Sequence, residues 1–580
     1  MPSALLISYG GYPFTPSSLT PDNGLANLAG ALIGAGYEVK ILDYGTVSKM
    51  RRLFPRELTE MLKQTAGKGQ NGGQRAGDWR SQSQGKGQRG TGNGGQGAKG
   101  KGERADGSPL PIEKLRQADA AIEQHQAAQM QQIAEEVAEE VRALKPEFVG
   151  FKLWNGDGFT GSVVIAEHLR AEFPSIRIYG GGPQASWFGE TIYRRTQAFD
   201  ALLHGEGEQA ILGLAEHARG KRELGTIAGV IYLEGGEPRR VPPAHALDLN
   251  DLHEPVYDEN VYPAMAGDEK IKIVVIDDSR GCPYQCGFCT HPIESGTRLR
   301  TASASVLVDR MARVKERYGI TAFRFAGSST PGDLMAEVAD EIIARGLEVT
   351  YTCFGHFASA RPDHFELMAQ SGLYAIFFGI ETGSQEILDR AVRKGIDLST
   401  VEATVRAAQR AGIFVATSMI VPLPFDTAET IQESLEFVLS VRPDSVPVQF
   451  PGLLPGTPWW VEPEKYGFEF DAEETALVGL DYKIKLLFPP ALWEALPYKV
   501  NGMGFAEFTA LTTEFAADLE AAGILVGLPD DNALIARCAG MTPREFRDCG
   551  RLWCATGDAE AMGEMVARAN SRQRAKGKGQ

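Results

Sequence analysis

The 580 residues contain no run approaching the roughly 18 consecutive apolar residues that a membrane helix needs. The opening Met1-Pro2-Ser3-Ala4-Leu5-Leu6 also lacks the basic stretch of a secretory signal. A cytoplasmic protein with no membrane partner is the expectation. Positive charge is in deficit as well: 59 Lys and Arg stand against 75 Asp and Glu, a formal net charge of −16. Neutralising phosphates needs the opposite sign, so nucleic acid is not expected as a partner. Cysteine is scarce, with seven in the chain, which does not suit a secreted disulfide framework. Three of the seven fall within eight positions, which points to metal chemistry. Apolar residues are plentiful, at 43% against 23% charged, enough for several cores.

The first 45 residues read as strand, loop, helix, strand, the opening of a parallel α/β sheet. Apolar runs at Ala4–Ser8, Glu38–Leu42, Phe148–Leu153, Ile176–Tyr179 and Ala201–His204 are its strands. Four of them run into a loop or glycine-rich turn: Gly10, Gly11 and Tyr12; Trp154 and Asn155; Gly181, Gly182, Pro183 and Gln184; Gly205, Glu206, Gly207 and Glu208. Open α/β sheets bind ligands at such carboxyl ends, so these residues are the candidate cofactor contacts.

Positions 66–108 hold 15 glycines, 8 Lys or Arg and 3 Asp or Glu, a composition that predicts a flexible insertion. A connector spans 246–270. A second βα series then begins, with strands expected at Ile271–Ile276, Ala322–Phe325, Leu347–Thr352, Ala375–Ile380, Phe414–Ile420 and Ser445–Gln449. Six units suit a partial barrel with its chemistry at the strand carboxyl ends. The reading is a first domain over 1–245, a barrel over 271–470, a helical domain over 471–570 and a disordered tail over 571–580.

The sharpest constellation is Gly281-Cys282-Pro283-Tyr284-Gln285-Cys286-Gly287-Phe288-Cys289, directly after the first barrel strand. Three thiolates from one loop suit three irons of a [4Fe–4S] cluster, with the fourth iron left open. A zinc site completed by His291 is the alternative.

This loop, with Phe288 before its third cysteine, resembles the signature of the radical SAM superfamily. Phe378-Gly379-Ile380-Glu381-Thr382-Gly383-Ser384, followed by Leu388 and Lys394, resembles the fourth-strand signature of members that also carry a cobalamin domain. Pro455-Gly456-Thr457-Pro458 resembles the motif after their sixth strand. The resemblance implies that Cys282, Cys286 and Cys289 ligate the cluster. It also implies that Phe288, Gly327, Ser328 and Glu381 lie at the S-adenosylmethionine (SAM) site. One departure stands out: the loop after the second strand, Phe325-Ala326-Gly327-Ser328-Ser329-Thr330, lacks the acid common there.

The resemblance extends to the first domain as a Rossmann-like cobalamin-binding sheet, with a nucleotide-binding sheet as the alternative. No Asp-x-His-x-x-Gly sequence is present to supply a cobalt ligand, and His125 lies in a helical pattern. The implied function is C-methylation, moving a methyl group from SAM via methylcobalamin to a substrate carbon. The tryptophan C-methyltransferases of thiopeptide biosynthesis are the relatives to test first, and the missing acid leaves room for a polar mechanism. The alternatives are a non-methylating rearrangement or cyclisation and a cobalamin-binding sensor or carrier. The implied partners are a small-molecule or peptide substrate and an electron donor such as flavodoxin or ferredoxin.

Overall fold

The computed structural model describes residues 1–12, 15–66, 112–244, 247–485 and 487–577. The expected insertion, apart from Ala66, lies outside them. Strands β1 (Ser3–Ser8), β2 (Glu38–Asp43), β3 (Phe148–Lys152), β4 (Arg177–Gly181) and β5 (Ala201–Leu203) form a parallel sheet in the order 2-1-3-4-5. All six residues of β1 are buried, because a central parallel strand is covered on both faces. An antiparallel hairpin, β6 (Val230–Glu234) and β7 (Glu237–Arg240), extends the sheet beyond β5. Gly235 and Gly236 turn it with φ of 62° and 89°, values that suit a two-glycine hairpin loop.

The second sheet runs parallel through β8 (Ile273–Ile276), β9 (Ala322–Phe325), β10 (Thr350–Gly355), β11 (Leu373–Glu381) and β12 (Phe414–Ile420). The sixth position is split into β13 (Ser445–Val446) and β14 (Val448–Gln449), both paired with β12. Phe323, Phe325, Tyr351, Cys353, Ile376 and Phe378 face outward and share one core with Val308, Val338 and Ile342 of the surrounding helices. Ile273, Ala322 and Ala375 face inward and pack on Leu525, Ala533 and Leu534 from the C-terminal region. Helix Asp530–Ala539 therefore fills the amino-terminal half of the partial barrel.

The C-terminal region is mainly helical, and one expectation for it, the disordered tail, is corrected. It contributes strands as well as helices: Phe468–Phe470 pairs with Tyr498–Val500, and β15 (Leu525–Val526) adds a parallel edge to β13. Residues 571–577, read as disordered, continue helix Ala559–Gly577. One face of that helix docks. The Asn570 amide donates to the Lys270 carbonyl at 2.9 Å, Gln573 accepts from the Thr321 N–H at 3.3 Å, and Arg574 pairs with Asp268 at 3.0 Å. A Lys/Arg-rich composition hides such a face because it averages over the helix period.

The two sheets are joined by a buried ion pair, Lys270 Nζ to Asp43 Oδ2 at 2.5 Å, with side chains 2% and 3% exposed. The Tyr262 hydroxyl also donates to Asp43, and Lys270 donates to the Gly45 carbonyl at 2.8 Å. Asp43→Ala strands a buried ammonium and is expected to cost about 3–5 kcal/mol. Urea denaturation followed by circular dichroism reads this loss, and Asp43→Leu with Lys270→Met is expected to recover most of it.

Candidate active site at the mouth of the barrel

The cysteine loop leaves β8 and is pinned from two sides. Gly287 N–H donates to the Val392 carbonyl at 2.9 Å, and its own carbonyl accepts from Trp459 N–H at 3.0 Å. The fully buried Trp459 indole donates to the Ala391 carbonyl at 3.0 Å and packs 5.7 Å from the Phe288 ring. A Cβ at position 287 would collide with the Trp459 indole nitrogen and the Ala391 carbonyl, so the position admits only glycine. The Pro455–Pro458 motif thus delivers Trp459 as the backing of the loop.

Cys282 and Cys286 are buried and Cys289 is partly so, all as free thiols. Burial pushes the Cys286 thiol up to about 12, with Lys394 opposing and Cys289, Glu381 and Cys282 reinforcing. Burial likewise pushes Cys289 up to about 11. The cysteines, Glu381 and Lys394 therefore share one low-dielectric mouth. As a set, the three sulfurs and His291 do not close to within 4.8 Å of one another.

Glu381 ends β11 at a register shift and takes a φ of 73°, a left-handed backbone that a non-glycine residue adopts at a cost. Its carboxylate accepts from Lys394 Nζ at 2.6 Å and from Ser418 Oγ at 2.7 Å. At the end of β10, His356 stacks flat on Tyr284 of the cysteine loop, with centroids 3.8 Å apart. Burial, then the Lys394 charge, lowers its pKa to about 4, and Nδ1 accepts from Ala358 N–H at 3.2 Å. Neither contact had a periodic signal in the sequence.

The loop with Gly327 and Ser328 carries no acid, yet a carboxylate lies beneath it. Asp278, at the end of β8 and 0% exposed, accepts from Gly327 N–H at 2.6 Å, Thr330 Oγ1 at 2.8 Å and Ser279 Oγ at 2.9 Å. Burial raises its pKa to about 6, against the pull of these donors.

The first sheet reverses its strand order between β1 and β3, the crevice where such sheets take ligands. Gly10, Gly11 and Tyr12 follow β1, and Trp154 and Asn155 follow β3. A Cβ at Gly10 would meet only the Trp154 ring at 4.0 Å, and one at Gly181 only Leu203 at 3.4 Å or beyond, so the crevice has room. Trp154 donates to Ser8 at 3.0 Å and lies under the Lys152 ammonium, which pairs with Asp22 at 2.8 Å. Gly182, with φ 94°, and Pro183 start the next helix. Gln184 donates to the Leu480 carbonyl at 2.9 Å, while its buried side-chain oxygen has no partner among the described residues. The space beside Gly10 and Gly181 at these strand ends fits a large cofactor. His125 meets the Arg52 carbonyl at 2.8 Å, on the helix Ile112–Leu144.

The turn Gly205–Glu208 also ties the first sheet to the cysteine loop. Glu208 takes both Arg280 nitrogens, at 2.6 and 3.0 Å, and Glu206 pairs with Arg300. These acids bind the arginines that flank the cysteine loop. Trp187 reaches the same loop, donating to Glu294 at 2.6 Å. A surface cavity of about 780 Å³, lined by Thr321, Thr350, Tyr374 and Arg537, lies at the opposite, amino-terminal end of the strands.

A three-cysteine loop thus lies at the mouth of an open parallel barrel, beside the strand ends of a second parallel α/β sheet. Residues 276–438 match the model of the radical SAM superfamily and form a radical SAM domain, the class that takes a [4Fe–4S] cluster and SAM. An uncharacterized methyltransferase of Pyrococcus horikoshii is 25% identical over 364 residues, covering 61% of this chain and 78% of the relative. The methyltransferase TsrM of Kitasatospora setae, solved with cobalamin and a [4Fe–4S] cluster, shares the fold with a TM-score of 0.59, 18% identity and coverage of 98% and 99%. Its structure with tryptophan and a SAM analogue gives 0.55, 16%, 91% and 96%. OxsB, a cobalamin-dependent SAM radical enzyme, gives 0.51 at 15% identity; this chain covers 52% of its length.

Reconstituted protein is expected to hold about four iron and four sulfide per chain, read by chemical analysis and EPR. A Cys282/Cys286/Cys289→Ala variant should hold almost none, and native zinc would count against the cluster. Gly287→Ala should cut the iron content severalfold while the circular dichroism spectrum stays native.

Proposed function

We propose that this chain is a cobalamin-dependent radical SAM C-methyltransferase. In this reading, residues 1–245 bind cobalamin and 271–470 form the core. The observation that carries the proposal is the opposition of two strand-end crevices in one chain. The β1/β3 crevice with Gly10 and Trp154 and the cysteine mouth are bridged by Arg280–Glu208 and Trp187–Glu294. Cys282, Cys286 and Cys289 hold the cluster, and Gly10, Gly11, Trp154, Gly181 and Gly182 line the cobalamin. When bound, these groups supply a methyl carrier and an electron for SAM cleavage.

The chain's own residues hold and orient. The Lys394–Glu381 pair is buried at the mouth, where Ser418 donates to the second carboxylate oxygen, so Glu381 is held in one position facing a cationic ligand such as SAM. Asp278 tethers the Gly327 loop against the same mouth. Trp459 and Phe288 shield the loop from water, which strengthens each charge interaction inside. A flavodoxin or ferredoxin supplies electrons.

The methyltransferase names of the relatives and the tryptophan bound in TsrM support the reading and make tryptophan the first substrate to try. Reduced, reconstituted protein with cobalamin and deuterated-methyl SAM is expected to place label in the corrinoid fraction and then on a product carbon, read by mass spectrometry. Glu381→Gln should raise the SAM requirement at least tenfold, a loss of about 1.4 kcal/mol or more. Conversion of the true substrate without label would instead favour the rearrangement.

A further inference from the structure

The barrel is filled at its amino-terminal half, and inward residues above that filling stay partly exposed. Outward residues of β9–β11 are buried under helices, but Val275, Arg324, Phe354 and Phe377, inward and mid-strand, stay partly exposed. Partial exposure in the middle of helix-covered parallel strands means open space on the inner face. The floor of this space is chemically specific. Asp530, 0% exposed at the start of helix Asp530–Ala539, accepts from Arg324 Nε and Nη2 at 3.1 Å each and from Thr352 Oγ1 at 2.8 Å. That side-on fork turns Nη1 away from Asp530, because the guanidinium is planar. The Arg324 side chain is 26% exposed, where a purely structural anchor would be closed off. Its guanidinium also lies 4.6 Å from the Phe354 ring centroid, and Phe354 meets Phe377 edge to face at 5.2 Å.

We propose that this lumen takes a flat apolar ring system bearing an oxygen acceptor. The ring sits among Val275, Phe354 and Phe377, and Arg324 Nη1 donates to the acceptor. Asp530 offsets the Arg324 charge, so a neutral carbonyl serves as well as a carboxylate. Anchoring the acceptor at the floor turns the far edge of the ring toward Glu381 and the cysteines. The assignment deepens the proposed function and rests on its placing the reaction at the barrel mouth.

Equilibrium dialysis on the cluster-reconstituted protein with indole-3-acetate, indole-3-acetamide and 3-methylindole tests it. The acid and the amide should bind at least about tenfold more tightly than the bare ring. Arg324→Gln should bring all three within about twofold, and Phe354→Leu should weaken all three, with iron content and melting temperature near those of the parent protein. If the single variant fails to fold because Asp530 is stranded, Arg324→Gln with Asp530→Asn should give the same loss of preference. Equal binding of the three probes by the parent protein, or a preference that survives loss of Arg324, would overturn the proposal. The predicted preference without methyl transfer to any substrate would sink the methyltransferase reading and leave this one standing.

Discussion

Arg280 sets the relation of the two halves of this protein. Its guanidinium, largely buried two residues before Cys282, is held by Glu208 at 2.6 Å and Asp277 at 2.8 Å, with Glu206 at 3.7 Å. Asp277 also accepts from Asn27 at 2.7 Å, on the helix that follows β1. Removing such a charge from water is costly unless several partners meet it with good geometry. The carboxylates come from the end of β8 and from the turn after β5, so the charge is satisfied only when both strand ends face each other. The cysteine loop is thereby aimed at the ligand crevice of the first sheet.

Within the mouth, the same economy of burial recurs. Glu381, Lys394 and Ser418 close a polar group that would be unstable alone in that environment, and Asp278 gathers three donors from its own strand end and the Gly327 loop. Each buried acid is satisfied by groups from another element, which locks the loops that carry the candidate ligands. The positive φ at Glu381 fits this picture, since surrounding contacts over-determine a backbone state that would otherwise relax.

Much of the architecture was legible in the residues. The continuous apolar run of β1, the strand-then-glycine junctions and the C-x3-C-x2-C loop are local patterns, and local patterns follow from backbone sterics and period. The hairpin at Gly235-Gly236 was written there too and went unread. The docked face of the last helix was not legible, because Asn570 and Gln573 gain meaning only from Lys270 and Thr321, some 300 and 252 residues earlier in the chain. The ion pairs of Glu206 and Glu208 were not legible for the same reason: their arginine partners lie in the other domain.

The sequence by itself determined the class of chemistry, because three cysteines on one short loop are close whatever the rest of the chain does. It also determined that two βα series would form, since hydrophobic periodicity is a property of each segment alone. Only the tertiary structure decided that the carboxylate beneath the acid-free loop is Asp278, that Trp459 backs the cysteines, and that Arg324 pairs with Asp530 inside the barrel. Those decisions depend on which buried charges meet, and Coulomb energy in a low-dielectric interior is set by distances in space that no local pattern records.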